Sequence, residues 1–237
     1  MKNQTPDHSA VEVFLKSWEV YQDIIRHNYM FHHEIAAAVR SELAESQSQQ
    51  GLRVLDLGCG DGSMTLSLLP PARILSYLGS DLSKPALDLA HKHANQLGIN
   101  AKFVCDDMIK VVEEIPANSI DLVFSSYAIH HLNAQKKQQI LEGVANLLTV
   151  NGQFVLIDIF REPSEDRAAY IRNYMSHLRQ TWKNLSAEAQ ALVINHASEF
   201  DFPEHPDFYQ VECERQRLPN SKRLAKHTWH EAWIFTR

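Results

Sequence analysis

Thiols are scarce in this chain of 237 residues: Cys59, Cys105 and Cys213 are odd in number and widely spaced. That pattern excludes a disulfide framework and a CxxC zinc site. Positive charge is also in short supply, with 23 Lys and Arg against 29 Asp and Glu and a formal net charge of -6. The balance has the wrong sign for electrostatic binding of nucleic acid, so a small partner is expected. No apolar run approaches the roughly 18 residues that span a bilayer. The start, Met1 to Ala10, is polar and lacks the apolar stretch of a secretory leader. A cytoplasmic location without membrane contact is the resulting expectation. What is present is ordinary globular composition, 44% hydrophobic and 22% charged, enough to bury a sizeable core. The length suits one α/β core with decorations.

The leading segment predicts a helix. Ser9 and Glu12 form an S-x-x-E capping box, and Val11, Phe14, Trp18, Tyr21 and Ile25 follow at three- and four-residue steps. Ile35, Val39 and Leu43 mark a second helix, which ends in the polar tract Ser46 to Gln50. From Arg53 short apolar runs alternate with helical stretches, the pattern of βαβ units around a parallel sheet buried on both faces. The strands read as Arg53–Leu57, Ser76–Ser80, Ala101–Cys105, Ile120–Ser125 and Gln153–Ile157, the last entered through an Asn151-Gly152 turn. Ser83 and Pro85 mark a helix start, with Leu87, Ala90, Ala94 and Leu97 as its apolar stripe; Ile140, Val144 and Leu147 mark another. After Asp158 the periodicity turns helical through Tyr170, Tyr174 and Leu178, then Leu192, Val193, His196 and Phe200, which reads as an insertion. Trp229 and Ala232 to Phe235 predict a final strand, whereas Phe208 to His227 carries no clear period.

The chemistry concentrates in Val54-Leu-Asp56-Leu-Gly58-Cys-Gly60-Asp-Gly62-Ser63, an apolar strand running into three glycines at alternate positions and then into a helical segment. Glycines tolerate positive φ and carry no Cβ, so backbone can wrap a ligand, and a following helix N-terminus would face a small anionic group. A plain tight turn needs fewer glycines. A dinucleotide fingerprint would want glycine where Ser63 stands, and no G-K-[ST] follows to hold a triphosphate. Asp81 ends the second strand 19 residues beyond Gly62, placed to accept hydrogen bonds from ribose hydroxyls. Asp106 and Asp107 end the third, where a carboxylate and a backbone N–H fit adenine. Taken singly, Asp81 also reads as a helix cap and the Asp106-Asp107 pair as a polar strand end.

With these residues in place, the stretch from about Arg53 to Asp158 resembles the class I S-adenosylmethionine-dependent methyltransferases of the small-molecule type. D-L-G-C-G-D-G, Asp81, Asp106-Asp107 and Asp121-Leu-Val-Phe-Ser125 carry the likeness. The resemblance implies a Rossmann-like α/β fold: a mainly parallel seven-stranded sheet with helices on both faces and a helical lid. It divides the chain into an N-terminal helical cap at 1–50 and a methyltransferase core at 51–237, with the lid insertion at about 160–205. It gives Asp56, Gly58, Gly60 and Gly62 to the methionine moiety of the cofactor, Asp81 to ribose, and Asp106 with the Asp107 backbone to adenine, with Leu82 and Met108 also among the cofactor-binding residues. The backbone at Ser125 and Ser126 falls to the methionine amino group. The cofactor implied is S-adenosyl-L-methionine, with S-adenosyl-L-homocysteine as product.

Ser125-Ser126-Tyr127-Ala128 lacks the Asn/Asp-Pro-Pro-Tyr/Phe of base-amine methylases, and Asp158-Ile159 lacks the Asp-Asn pair of metal-dependent catechol-type enzymes. No metal is therefore expected. Ile129-His130-His131-Leu132 resembles a pattern common in methyltransferases of small molecules, and His130 and His131 are the catalytic candidates, as bases for an acceptor that must lose a proton. The same residues would equally pack or cap the next helix. A metal shared with His32 and His33 is disfavoured, because adjacent histidines rarely share one ion. Tyr21, Tyr29, Arg161, Tyr170, Tyr174 and Trp182 are candidate walls of the acceptor site or plain packing. The basic cluster Arg215, Arg217, Lys222, Arg223 and Lys226 has Glu212 and Glu214 beside it and reads as a solvated face. A small-molecule acceptor is expected and nucleic acid is not, with a homodimer left open. The alternatives are a non-catalytic module binding the same cofactor, and an oxidoreductase on a Rossmann-like sheet.

Overall fold

The structure is a computed structural model that describes residues 18–45 and 51–237. In chain order it holds α1 (18–26), α2 (His32–Glu45), β1 (Leu52–Leu57), α3 (Ser63–Leu66), β2 (Ile74–Ser80), α4 (Lys84–Gln96), β3 (Ala101–Val104), α5 (Met108–Glu114) and β4 (Ile120–Ser126). Then follow α6 (Ala134–Leu147), β5 (Leu148–Ile159), α7 (Arg167–Thr181), α8 (Ala187–Phe200), α9 (Pro206–Arg215), β6 (Asn220–His227) and β7 (His230–Thr236). The capping box at Ser9 and Glu12, with Val11 and Phe14, and the tract Ser46 to Gln50 lie outside the described residues. The chain divides into two compact units: Met1–His33 with Glu165–Asp201, and Glu34–Ser164 with Phe202–Arg237.

The second unit is built on a seven-stranded sheet of order β3-β2-β1-β4-β5-β7-β6. β1 to β5 run parallel; β7 is antiparallel to β5 and β6 antiparallel to β7. Strands buried on both faces need apolar residues at odd and even positions alike. Leu55, Leu57, Val123, Phe154, Leu156 and Phe235 join one core with Val111 and Val112 of α5, Ile140 and Val144 of α6 and Tyr209 and Cys213 of α9. The alternate residues Val54, Leu122, Phe124, Val155 and Ile157 are equally buried, as are Ile35, Val39 and Leu43 of α2. Side-chain caps fix the helix starts. Ser83 accepts from the Ala86 amide at α4, Asn133 from Lys136 at α6 and Asp166 from Ala169 at α7.

Several expectations need correction. The register between β4 and β5 jumps from Ile120↔Leu148 to Leu122↔Gln153, so the Asn151-Gly152 segment is an irregularity inside β5, not a turn before it. Leu97 caps α4 and is exposed, because the buried stripe ends at Ala94. The stretch from Phe208 to His227, where no period was legible, is most of α9 and all of β6. Trp229 stands in the tight turn before β7, where Thr228 takes φ 54°.

In the helical unit, Tyr170, Tyr174 and Leu178 form the buried face of α7. Tyr170 stacks on Tyr174, and Trp182 stacks on Tyr29 with centroids 5.0 Å apart. Of these candidate acceptor walls, Tyr170, Tyr174 and Trp182 are buried in the core and Tyr29 is half-buried. On α8 most of the expected stripe is exposed: Leu192, His196 and Phe200 are exposed and Val193 is half-buried, while Ala197 is the buried residue.

Gly143 of α6 is present for space rather than flexibility. A Cβ there would lie 2.6 Å from Val112 Cγ2 of α5. Gly143→Ala gains about 1 kcal/mol of helix propensity but overpacks the α5–α6 contact by roughly 1–3 kcal/mol. A thermal melt should show a net fall of a few degrees, reversed by pairing with Val112→Ala.

Candidate functional site

The strand order reverses between β1 and β4, and such a reversal opens a crevice at the carboxyl ends of the strands. The glycine loop leaves β1 at that point. Gly58, Gly60 and Gly62 all have positive φ, 70°, 54° and 71°. Each serves differently. A Cβ on Gly58 would lie 2.3 Å from the Ala128 Cβ, so the loop presses against the chain leaving β4; a Cβ on Gly60 would meet nothing within 4 Å and points into open space. Gly62 is the left-handed cap of α3. The loop is held by its own backbone: the Gly58 and Cys59 amides both donate to the Ser80 carbonyl at 2.8 and 2.9 Å, and Gly62 N donates to Cys59 O. His93 Nδ1 meets the Asp61 carbonyl at 2.9 Å.

The helix after the loop departs from expectation. α3 is a single turn of four residues, and the Ser63 amide at its start is taken by Asp61 Oδ1 at 3.0 Å. The Ser63 amide is thus not available to an anion, which leaves the backbone of the glycines as the cradle.

Asp81 lies beside that cradle. Its Oδ2 accepts from the Gly60 amide at 2.9 Å and its Oδ1 from Ser83 N at 2.8 Å. The loop after β1 and the acidic tip of β2 thus adjoin. Leu82 is 76% exposed, an unusual position for leucine, and its carbonyl accepts from the exposed Cys105 thiol. At the end of β3, Asp106 Oδ1 accepts from the Asp107 amide at 2.8 Å and from Lys110 Nζ at 3.2 Å; these bonds, the amide first, hold its carboxyl below the usual range. Asp107 caps α5 through Ile109 N. The Asp107 N–H expected to face adenine is therefore satisfied by its neighbour. The Met108 methyl lies 3.6 Å from the Cβ position of Gly58, at the loop.

Two expected ligand contacts are structural in their side chains. Ser125 is fully buried and its hydroxyl donates to the Leu57 carbonyl at 2.9 Å, tying β4 to β1. Asp56 is 1% exposed, and its carboxylate accepts from the Tyr77 hydroxyl at 2.5 Å. Burial pushes the Asp56 carboxyl up to about 6, against the Tyr77 hydrogen bond that holds it down. A raised folded-state value means that Asp56 favours folding at low pH and that this contribution is lost as pH rises from about 4 through about 6. Asp56→Asn removes the charge. Its stability relative to wild type, from urea melts, should therefore improve by roughly 2 kcal/mol between about pH 4.5 and about pH 7.5.

At the end of β4 the backbone is strained: Tyr127 takes φ 53°, with its amide donating to Ile157 O at 2.8 Å. A 3-10 turn, Ile129–His131, then carries both catalytic candidates. They differ. His131 is exposed, whereas His130 is buried, with Nδ1 2.5 Å from Asp158 Oδ1 and its amide donating to Asp158 Oδ2 at 2.9 Å. The rings lie 3.9 Å apart. Sequence reasoning passed over Asp158, which showed only as the lack of a metal-binding pair, and Tyr77, which read as an ordinary strand residue.

Outside this region, four members of the basic cluster face carboxylates: Arg215 with Glu212, Lys222 with Glu42, Lys226 with Glu162 and Glu231, and Arg223 at 3.7 Å from Glu231. Arg161 pairs with Glu204 at 2.7 Å and donates to the Pro203 carbonyl. No helix among the described residues is long and apolar enough to cross a membrane.

A family model described as a methyltransferase domain matches residues 54–152. An uncharacterized methyltransferase of Schizosaccharomyces pombe is 36% identical over 104 residues, which are 43% of this chain and 38% of that protein. One of Bacillus licheniformis is 25% identical over 199 residues, covering 81% of this chain and 90% of its own length. Among solved structures, an O-methyltransferase family protein from Burkholderia thailandensis superposes with a TM-score of 0.63 at 15% identity, over 90% of this chain and 57% of that one, a likeness of fold. Residues 54–152, which carry the glycine loop, are thus similar in sequence to a methyltransferase domain, and the fold is like that of a solved O-methyltransferase family protein.

Proposed function

We propose that the chain moves a methyl group from S-adenosylmethionine to an oxygen, nitrogen or carbon of a small-molecule acceptor, without a metal, in the cytoplasm. One observation carries the reading: Asp81 bonds to the Gly60 amide, so the carboxylate for ribose adjoins a glycine cradle whose middle member faces open space. A cofactor with an amino-acid tail, a ribose and a purine fits that order of groups. Bound there, it would supply a methyl group activated by a positive sulfur.

Gly58, Gly60 and Gly62 would hold the amino-acid tail by backbone, aided by the carbonyls at Ser125 and Ser126. Asp81 would accept from the ribose hydroxyls, and exposed Leu82 would cover the sugar and purine face with Met108 opposite. Asp106 would accept from the exocyclic amine, exchanging its bond to the Asp107 amide, which then turns to a ring nitrogen. Asp56 supports the loop through Tyr77. Displacement at a sulfonium disperses charge instead of creating it, so alignment supplies most of the acceleration and the protein needs no nucleophile of its own. His130 and His131 stand ready for the proton of an acceptor that has one.

Calorimetry with S-adenosylhomocysteine, alongside a metabolite screen using methyl-labelled S-adenosylmethionine, tests this. Binding together with label in a small molecule is expected. Binding without label transfer to any metabolite would instead favour a non-catalytic module, and absence of binding would end the proposal.

A further inference from the structure

A groove of about 850 Å3 lies between α2, α3, α4 and the segment that leads into β2. Leu43 and Ala44 reach it from the last turn of α2, Leu68 to Pro71 from the connection before β2, and His93, Gln96 and Leu97 from the end of α4. These segments precede β1, β2 and β3, so the groove sits toward the amino ends of the parallel strands. Gly58, Gly60, Asp81 and Asp106, at the carboxyl ends, do not line it. All of its residues belong to the unit that holds the sheet. Packed interiors leave few voids larger than a water molecule, and a concavity of this volume is in the range of small-ligand sites.

The lining is aliphatic and basic. Leu43, Leu66, Leu68 and Leu69 are buried beneath the groove, and Leu97 stands at it 44% exposed. Among the described residues no Phe, Tyr or Trp lines it, so a flat ring finds no stacking partner there. Its charged residues are Arg40 and Arg73, with no Asp or Glu, although acids outnumber bases 29 to 23 in the chain. Arg40 is exposed, and its guanidinium donates to the Ser67 carbonyl at 3.4 Å, a long and weak bond that leaves most of its five N–H donors unused. Arg73 donates to the Leu43 carbonyl at 2.8 Å. Positive charge over an aliphatic floor complements a molecule with an anionic head and a flexible apolar tail.

We propose that this groove is a second binding site, for an amphiphile in free solution that carries a carboxylate on a straight alkyl chain. The tail lies on the leucine floor. The carboxylate takes the Arg40 fork in place of the long bond to Ser67, a charge-assisted pair stronger than the one it replaces. The occupant also rests behind the glycine loop: Leu66 Cδ1 lies 3.1 Å from the Cβ position of Gly62, and His93 Nδ1 meets the Asp61 carbonyl at 2.9 Å. The site is independent of the methyl-transfer reading, since it needs neither the cofactor nor the acceptor.

Titration of the methyl-labelled full-length protein with decanoate, followed by carbon–proton NMR, tests this. Saturable shifts are expected at the methyl groups of Leu43, Leu66, Leu68, Leu69 and Leu97, with calorimetry giving a single site. Decyltrimethylammonium, with the opposite head, and acetate, with no tail, should each bind at least about 10-fold more weakly. Arg40→Met removes the charge and keeps an apolar stem, and Leu97→Glu sets a carboxylate at the groove. Both positions are exposed, so each variant should melt within a few degrees of wild type while binding decanoate at least about 10-fold more weakly. Shifts confined to residues outside the groove, equal affinity for the cationic chain, or unchanged decanoate binding in either variant would each overturn the proposal. So would association with phosphatidylglycerol vesicles but none with free decanoate. If one variant fails to fold, the other variant and the comparison of head groups decide.

Discussion

Asp81→Ala is expected to weaken binding of S-adenosylhomocysteine about 100-fold or more. Hydrogen bonds to a charged group contribute roughly 1.5–3 kcal/mol each, and a carboxylate holding both ribose hydroxyls would forfeit two of them, a total of about 3 kcal/mol. The free protein should tolerate the change. Asp81 is half-buried, and water can replace it as acceptor for the Gly60 and Ser83 amides. Calorimetry and a thermal melt on the same sample separate the two effects: a large loss of affinity with little loss of melting temperature. Asp81→Asn, which keeps one acceptor oxygen, should fall between. Equal affinity in wild type and Asp81→Ala would show that ribose is held elsewhere.

The second large effect concerns stability. Gly58→Ala must place a Cβ 2.3 Å from that of Ala128 while holding φ near 70°. The left-handed backbone costs an L-residue roughly 1–2 kcal/mol and the overpacking roughly 1–3 kcal/mol more, together about 3 kcal/mol. For a chain of this size that is about 6–12 °C in Tm. Pairing it with Ala128→Gly should recover the steric share and leave the backbone share. Gly60→Ala is the informative contrast, because its Cβ would meet no protein atom within 4 Å. It should melt within a few degrees of wild type yet bind S-adenosylhomocysteine poorly, since the added methyl group would stand where the ligand is proposed to lie. If Gly60→Ala binds normally, the cradle is not the binding surface.

The contrast between the two glycines also bears on how sequence and structure divide the information. In the sequence, Gly58, Gly60 and Gly62 are equivalent members of one motif. The structure separates them by neighbour: Gly58 by Ala128, which lies 70 positions away, and Gly62 by its place at the start of a single helical turn. Asp106 and Asp107 differ from expectation for a related reason. Adjacent polar groups at a strand end bond first to each other, and the α5 cap takes the Asp107 carboxylate.

By itself the sequence determined the five parallel strands, the cap at Ser83 and the location of the glycine loop. These are set residue by residue, through burial on a period of two or 3.6, through a side chain reaching an amide three positions on, or through the absence of a Cβ. The tertiary structure alone decided that Asp158 holds His130 across 28 positions, that Tyr77 holds Asp56 across 21, and that Phe208 to His227 makes most of α9 and the strand β6 that continues the sheet. Those pairings join the ends of different strands. A carboxylate that accepts from solvent and one that accepts from a buried imidazole look alike in a linear chain, and only the packing of β4 against β5 distinguishes them.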